Sequence, residues 1–173
     1  PRRQPTQRLP QRVPHTLVGH QPGVSRAHRP AIAAPMTEHS DLTAIEARIA
    51  AAAALAGRKP EDVTLIAVSK THPADRIEPL LAAGHRDFGE NRVAEAQEKW
   101  SALRDRYPDA RLHLIGQLQS NKAADAVAIA DAIHAVDRSS LIGALARAMD
   151  AADRRLACFI QVNIGDEPQK GGC

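Results

Sequence analysis

The chain has 173 residues, 43% of them hydrophobic and 25% charged, with a formal net charge of +3 and a sequence pI near 9.2. That length suits one domain, and the longest apolar run, Ile49 to Ala56, is too short to span a bilayer. Two cysteines, Cys158 and Cys173, make neither a disulfide framework nor a zinc site, so a reducing, cytoplasmic setting is expected.

The charge is spread unevenly. Residues 1–35 hold six arginines (Arg2, Arg3, Arg8, Arg12, Arg26 and Arg29), seven of the twelve prolines, and no Asp, Glu or Lys. Residues 36–173 hold 17 basic against 20 acidic residues, a net of −3. The prolines forbid a helix in the first segment, and its aperiodic apolar residues cannot offset the entropy of ordering it, so it is expected to be disordered. It lacks the aromatics of an RNA-binding arm, the amphipathic helix of a mitochondrial presequence and the apolar core of a secretory signal. Met36, followed by Thr37-Glu38-His39-Ser40-Asp41, reads as the natural start. Residues 1–35 are therefore expected to lie upstream of it, and residues 36–173 to form the domain.

From Thr43 the pattern turns regular. Thr43-x-x-Glu46 has the form of a capping box, opening a helix over Ala44 to Ala56 that Gly57 stops. Val63 to Ser69 is a β-branched apolar run of strand length. Pro73 opens a second helix, with Ile77, Leu80 and Leu81 at helical spacing and Gly84 at its end. The unit then recurs: a strand at Asp87–Glu90 and a helix from about Arg92 to Arg106; a strand at Leu112–Gly116 and a helix from Ser120 to Ala130. A strand at Ala132–Val136 follows, with a helix from Ser139 to Ala152, and then a fifth strand at Ala157–Ile164. Successive strand ends at Lys70, Glu90, Gly116, Asp137 and Asn163 fall 20, 26, 21 and 26 residues apart. Such alternation predicts right-handed βαβ units and a parallel sheet, either an open doubly wound sheet or a (β/α)8 barrel. No GxGxxG follows the first strand, which removes the dinucleotide signature. Polar residues instead collect at strand C-termini: Ser69-Lys70-Thr71, Glu90-Asn91, Gln117 with Gln119-Ser120-Asn121-Lys122, Asp137-Arg138 and Asn163. A barrel builds its site there, so the barrel is favoured.

Lys70 ends the most apolar strand. Packed against aliphatic walls, its ammonium would be disfavoured and the neutral amine would be a nucleophile toward an aldehyde. On spacing alone, a lysine snorkelling from a strand end into water is the commoner outcome. His113, inside a strand, reads equally as a satisfied core histidine. Asn121 reads as part of a helix cap, and Glu90 either positions Lys70 or Asn91 or faces solvent.

Four blocks decide between these readings: Ala67-Val68-Ser69-Lys70-Thr71-His72-Pro73, Phe88-Gly89-Glu90-Asn91, His113 through Lys122 (HLIGQLQSNK), and Gln161-Val162-Asn163-Ile164. In order and spacing they resemble the pyridoxal phosphate homeostasis protein family, single-domain barrels similar to the N-terminal domain of alanine racemase. The resemblance runs from about Leu42 to Gly171. It implies a TIM-type (β/α)8 barrel of which about the first five βα units are present, and pyridoxal 5'-phosphate (PLP) as cofactor. Lys70 would carry the Schiff base, and Asn91, His113, Gly116, Gln119 and Asn121, with Lys122 beside them, would border the cofactor. It implies a carrier that sequesters PLP and supplies PLP-dependent apo-enzymes, without turnover, membrane or nucleic acid, and monomeric when full length. The family's phosphate-binding turns follow its later strands, so the residues present are expected to form part of a site, one that binds PLP weakly. An alternative is a PLP-dependent racemase or decarboxylase-like barrel, in keeping with the cofactor's dependence on surrounding acids and bases for its reaction. A PLP-free aldolase using Lys70 is another, and a nucleic-acid reading would rest wholly on residues 1–35.

Overall fold

The computed structural model describes residues 38–173, and the expectations for residues 1–35 and for a start at Met36 lie outside them. Five parallel strands, β1 (Ala67–Val68), β2 (Asp87–Glu90), β3 (Arg111–Leu114), β4 (Ala132–Val136) and β5 (Ala157–Ile160), pair in sequence order. Between and before them run α1 (Glu38–Leu55), α2 (Ala74–Ala82), α3 (Val93–Arg106), α4 (Ala123–Ile129) and α5 (Ser139–Ala152). A doubly wound sheet must reverse its strand order at a switch point, whereas uniformly right-handed crossovers that always step the same way wind a barrel. The order β1-β2-β3-β4-β5 contains no reversal, so the sheet is a barrel segment with its helices on one face.

That face is built by period matching. Phe88, Leu112, Leu114 and Ile133 alternate along the strands and meet Ile77 and Leu81 of α2, Val93, Ala96, Trp100 and Leu103 of α3, and Leu141 and Leu145 of α5. The 93-96-100-103 spacing keeps one stripe of α3 on the sheet, and Trp100 lies 5.1 Å from the Phe88 ring. The intervening strand residues, among them Asp87, Gly89, His113 and His134, therefore face the other way, toward what is the inside of a barrel.

Several boundaries differ from expectation. α1 begins at Glu38, so Thr43 and Glu46 stand inside the helix and form no capping box. The strand expected over Val63–Ser69 is confined to Ala67–Val68, because its ladder partner β2 begins at Asp87 and β1 has no neighbour on its other side among the described residues. β5 likewise ends at Ile160 rather than Ile164. Beyond it Gln161 N–H still donates to Val136 O, after which Asn163 N–H and Gln161 O bond to Cys173 instead of to a strand. A single 3-10 turn, Ser120–Lys122, precedes α4.

β5 is exposed along its length. Phe159, Ile160, Val162 and Ile164 are 51%, 67%, 60% and 93% accessible, a contiguous apolar edge of the sort that templates pairing with another chain. The chain is expected to self-associate in solution, and replacing both Ile160 and Val162 by Lys should shift light scattering toward the monomer. A monodisperse monomer of the unaltered chain would contradict this account of the edge.

Candidate functional site

The C-terminal end of β1 is held by a buried ionic cluster. Glu90, last residue of β2, has no solvent exposure. Its Oε1 accepts from Ser69 Oγ at 2.7 Å, Lys99 Nζ at 2.9 Å and Trp100 Nε1 at 3.2 Å. Its Oε2 has no partner, and such an orphan acceptor costs about 1–3 kcal/mol. The Lys99 ammonium spends its other two hydrogens on Ser69 O at 2.8 Å and Glu95 Oε1 at 3.1 Å. Glu95 Oε1 also accepts the backbone N–H of Thr71 at 2.5 Å. That bond, ahead of the nearby Lys99, holds the Glu95 carboxyl below the usual range against the opposing effect of desolvation. Two residues of α3, Glu95 and Lys99, thus grip the backbone immediately before and after Lys70.

Thr71 needs that grip. Its φ of 64° lies in the left-handed region, which for a β-branched residue costs about 1–3 kcal/mol and persists only where neighbours over-determine it. Lys70 itself is exposed. Desolvation of its ammonium by aliphatic walls, expected from the strand sequence, is therefore not found. Its amine makes no hydrogen bond or ion pair with any described residue. By contrast, Lys99 is tied to Glu90, Lys122 to Asp125 at 3.2 Å and Lys170 to Glu167 at 2.6 Å.

The other expected residues sit at two depths. Gly116 lies against the backbone of Asn91: a Cβ there would fall 2.4 Å from Asn91 O, so glycine is required for the β2 and β3 ends to come together. Asn91, Gln117, Gln119 and Lys122 line a cleft of about 450 Å³ beside the N-terminus of α3, which neither Lys70 nor Gly116 lines. Asn121 is exposed on the 3-10 turn, whose N-cap is Gln119 with no side-chain bond, so Asn121 caps nothing.

His113 lies deeper, level with Gly89. Its Nε2 is 2.9 Å from Asp87 Oδ1 and its Nδ1 is 3.0 Å from His134 Nε2. Since the carboxylate only accepts, His113 donates from Nε2–H, and in neutral His113 the Nδ1 accepts a hydrogen bond from His134 Nε2–H. His134 stacks on Phe159 at 4.6 Å, where β4 carries one extra residue between Ile133 and Val136, a bulge that turns its side chain across the sheet. Burial, and then His113, push the His134 imidazole below its usual value.

Glu95, Lys99, Trp100, Asp87 and His134 were not singled out from sequence. Glu95-x-x-x-Lys99 is visible as a helical ion pair, but its reach to Thr71 depends on α3 packing beside β1. His134 occupies the third place of β4 as His113 does of β3, a coincidence that acquires meaning once the strands are neighbours.

Residues 40–173 match the family described as alanine racemase, N-terminal domain. A protein of Pseudomonas aeruginosa named pyridoxal phosphate homeostasis protein is 40% identical over 133 residues, 77% of this chain and 57% of its own length. The protein of that name from Escherichia coli K12 is 39% identical over 76% of this chain and 57% of its own. Among solved structures, PipY of Synechococcus elongatus PCC7942 with PLP bound is 44% identical with a TM-score of 0.61, covering 72% of this chain and 58% of that one. A protein of Bifidobacterium adolescentis superposes with a TM-score of 0.72 at 33% identity, covering 78% and 58%. The chain spans somewhat over half the length of the relatives it matches.

Gly116→Ala is expected to lower unfolding stability by about 1–3 kcal/mol in urea titrations, the scale of an overpacked methyl with backbone as its neighbour. For His134 the unfolded chain takes up the proton first. The stability this contributes is complete above pH 6.5 and is lost as the pH falls through 6.5 toward the lowered native value. The urea midpoint should therefore drop between pH 7.5 and 5.5, about 6.5 being the ordinary imidazole value, and the drop should shrink in His134→Gln.

Proposed function

Because the chain belongs to the family of the alanine racemase N-terminal domain, we propose that it binds PLP through Lys70 and serves intracellular PLP homeostasis. The observation that carries this is the amine of Lys70, unpaired among the described residues and presented from a strained turn at the C-terminal end of a barrel strand. The relatives named for PLP homeostasis and the PLP-bound PipY structure support the choice of ligand. PLP supplies an aldehyde and an electron-accepting ring when bound. The residues present fit it: Lys70 would hold the group through its exposed amine, and Gly116, packed on the backbone of Asn91, brings the β2 and β3 ends together. Asn91, Gln119 and Asn121 are proposed to border the cofactor, with His113 supporting them from one layer deeper.

We place the protein as a carrier rather than an enzyme. A racemase needs acid–base groups offered on both sides of the reacting carbon, and His113 has both ring nitrogens engaged, by Asp87 and by His134. The setting proposed is cytoplasmic, in keeping with the absence of any helix long and apolar enough to cross a membrane among the described residues. The recipients proposed are PLP-dependent apo-enzymes, and the state a monomer once the apolar edge at β5 is covered.

Titration with PLP followed by borohydride reduction and peptide mass mapping tests the reading. A saturable adduct on Lys70, lost in Lys70→Ala and accompanied by no amino-acid racemisation beyond that of free PLP, is expected. Label distributed evenly over Lys59, Lys70, Lys122 and Lys170 would overturn it.

A further inference from the structure

We infer that Glu95 and Lys99 of α3, together with the buried Glu90, form a positioning clasp that fixes the Lys70 turn from behind the sheet. The inference rests on the reading of Lys70 given above. The clasp holds the backbone at two points flanking Lys70 and never touches its side chain. Lys99 Nζ bonds Ser69 O at 2.8 Å and Glu95 Oε1 receives Thr71 N–H at 2.5 Å. Ser69 is fixed a second time by its N–H on Gly89 O at 2.9 Å and a third by its hydroxyl on Glu90 at 2.7 Å. Thr71, by contrast, has its own N–H held by Glu95 alone, within a turn that His72 N–H closes on Ser69 O at 3.1 Å. Lys99 joins the two sides, bonding Glu90 and Glu95 with the same ammonium that bonds Ser69. Its side chain is 8% exposed, so the three acceptors around it are not in competition with bulk water.

Such an arrangement separates holding from reacting. Lys99 holds the backbone before Lys70 and is itself paired with Glu90 and Glu95, while the Lys70 amine bonds no described residue. Without Glu95, Thr71 is expected to relax to an ordinary negative φ, and Lys70 to be carried with it away from the C-terminal strand ends.

Three forms of the full chain decide this: the unaltered protein, Glu95→Ala, and Glu95→Gln, which keeps an oxygen acceptor and loses the charge. Two quantities are read, the hydrogen exchange of the Thr71 amide without PLP, and the affinity and site of the borohydride-trapped adduct with PLP. In Glu95→Ala the Thr71 amide should exchange about tenfold faster and the Lys70 adduct weaken about tenfold, as for a reacting group displaced by a fraction of an ångström. Glu95→Gln should stay within about twofold of the unaltered chain in both, since the acceptor geometry is retained. Lys99→Met, which cuts the link to Ser69, should move the adduct in the direction of Glu95→Ala, and circular dichroism melts confirm that each form is folded. Faster Thr71 exchange with an unchanged Lys70 adduct would overturn the positioning role, and unchanged exchange would overturn the clasp itself. If the unaltered chain shows no preference for Lys70, the cofactor reading falls, and the clasp stands or falls on Thr71 exchange alone.

Discussion

A carboxylate with no access to water sits where β2 ends, and the geometry of the neighbouring strand end follows from what it needs. Glu90 must gather donors, since removing one partner of a buried ion pair costs about 3–5 kcal/mol. It takes them from three directions: the hydroxyl before Lys70, the ammonium of Lys99 and the indole of Trp100. Satisfying one acid therefore brings β1, β2 and α3 together at one level of the barrel. Trp100 belongs to both systems, since its ring packs on Phe88 in the apolar layer while its N–H ends in the ionic one. The stability of the outer layer and the placement of the turn are thus one problem with one solution.

The opposite face of the sheet follows a different logic. Asp87, His113 and His134 form a line across β2, β3 and β4 in which each polar group is spent on the next, and Phe159 closes it. Gly89 lies among them because Ile66 and Ile115 come within 3.1 Å of where its Cβ would stand. The polar groups on this face are spent on one another, and a barrel of this kind places its ligand at the C-terminal rim.

How much of this was legible beforehand varies with what sets each feature. β2, β4 and α5 fall where periodicity puts them: β2 and β4 have a strand on either side, and α5 buries Leu141 and Leu145. β1 and β5 read as long strands because Val63–Ser69 and Ala157–Ile164 are mostly apolar, yet a ladder extends only as far as a partner does. Thr43 and Glu46 carry the letters of a cap in a helix that starts five residues earlier. Lys70 was legible as a position but not as an environment: the strand before it is apolar, and its own side chain is exposed. The clasp was invisible because its members lie 21 to 30 residues from Ser69 in sequence, and only packing of α3 beside β1 converts them into neighbours.

The distribution of these contacts along the chain has a consequence for how the site is assembled. Every group that restrains the Lys70 turn lies between Ser69 and Trp100, within two consecutive βα units, whereas Gly116, Gln119 and Asn121 come from the unit that follows. The restraint on the reactive amine is therefore complete once α3 has docked on β1 and β2, and it requires nothing from β4 or β5. Thr71 can be strained there because the strain is balanced locally, by a bond from a helix that the apolar stripe of Val93, Ala96, Trp100 and Leu103 already anchors. The rim contributed by β3 and the turn after it then meets a lysine whose backbone is fixed, and Gly116 is the contact through which the two parts register, backbone against backbone at Asn91.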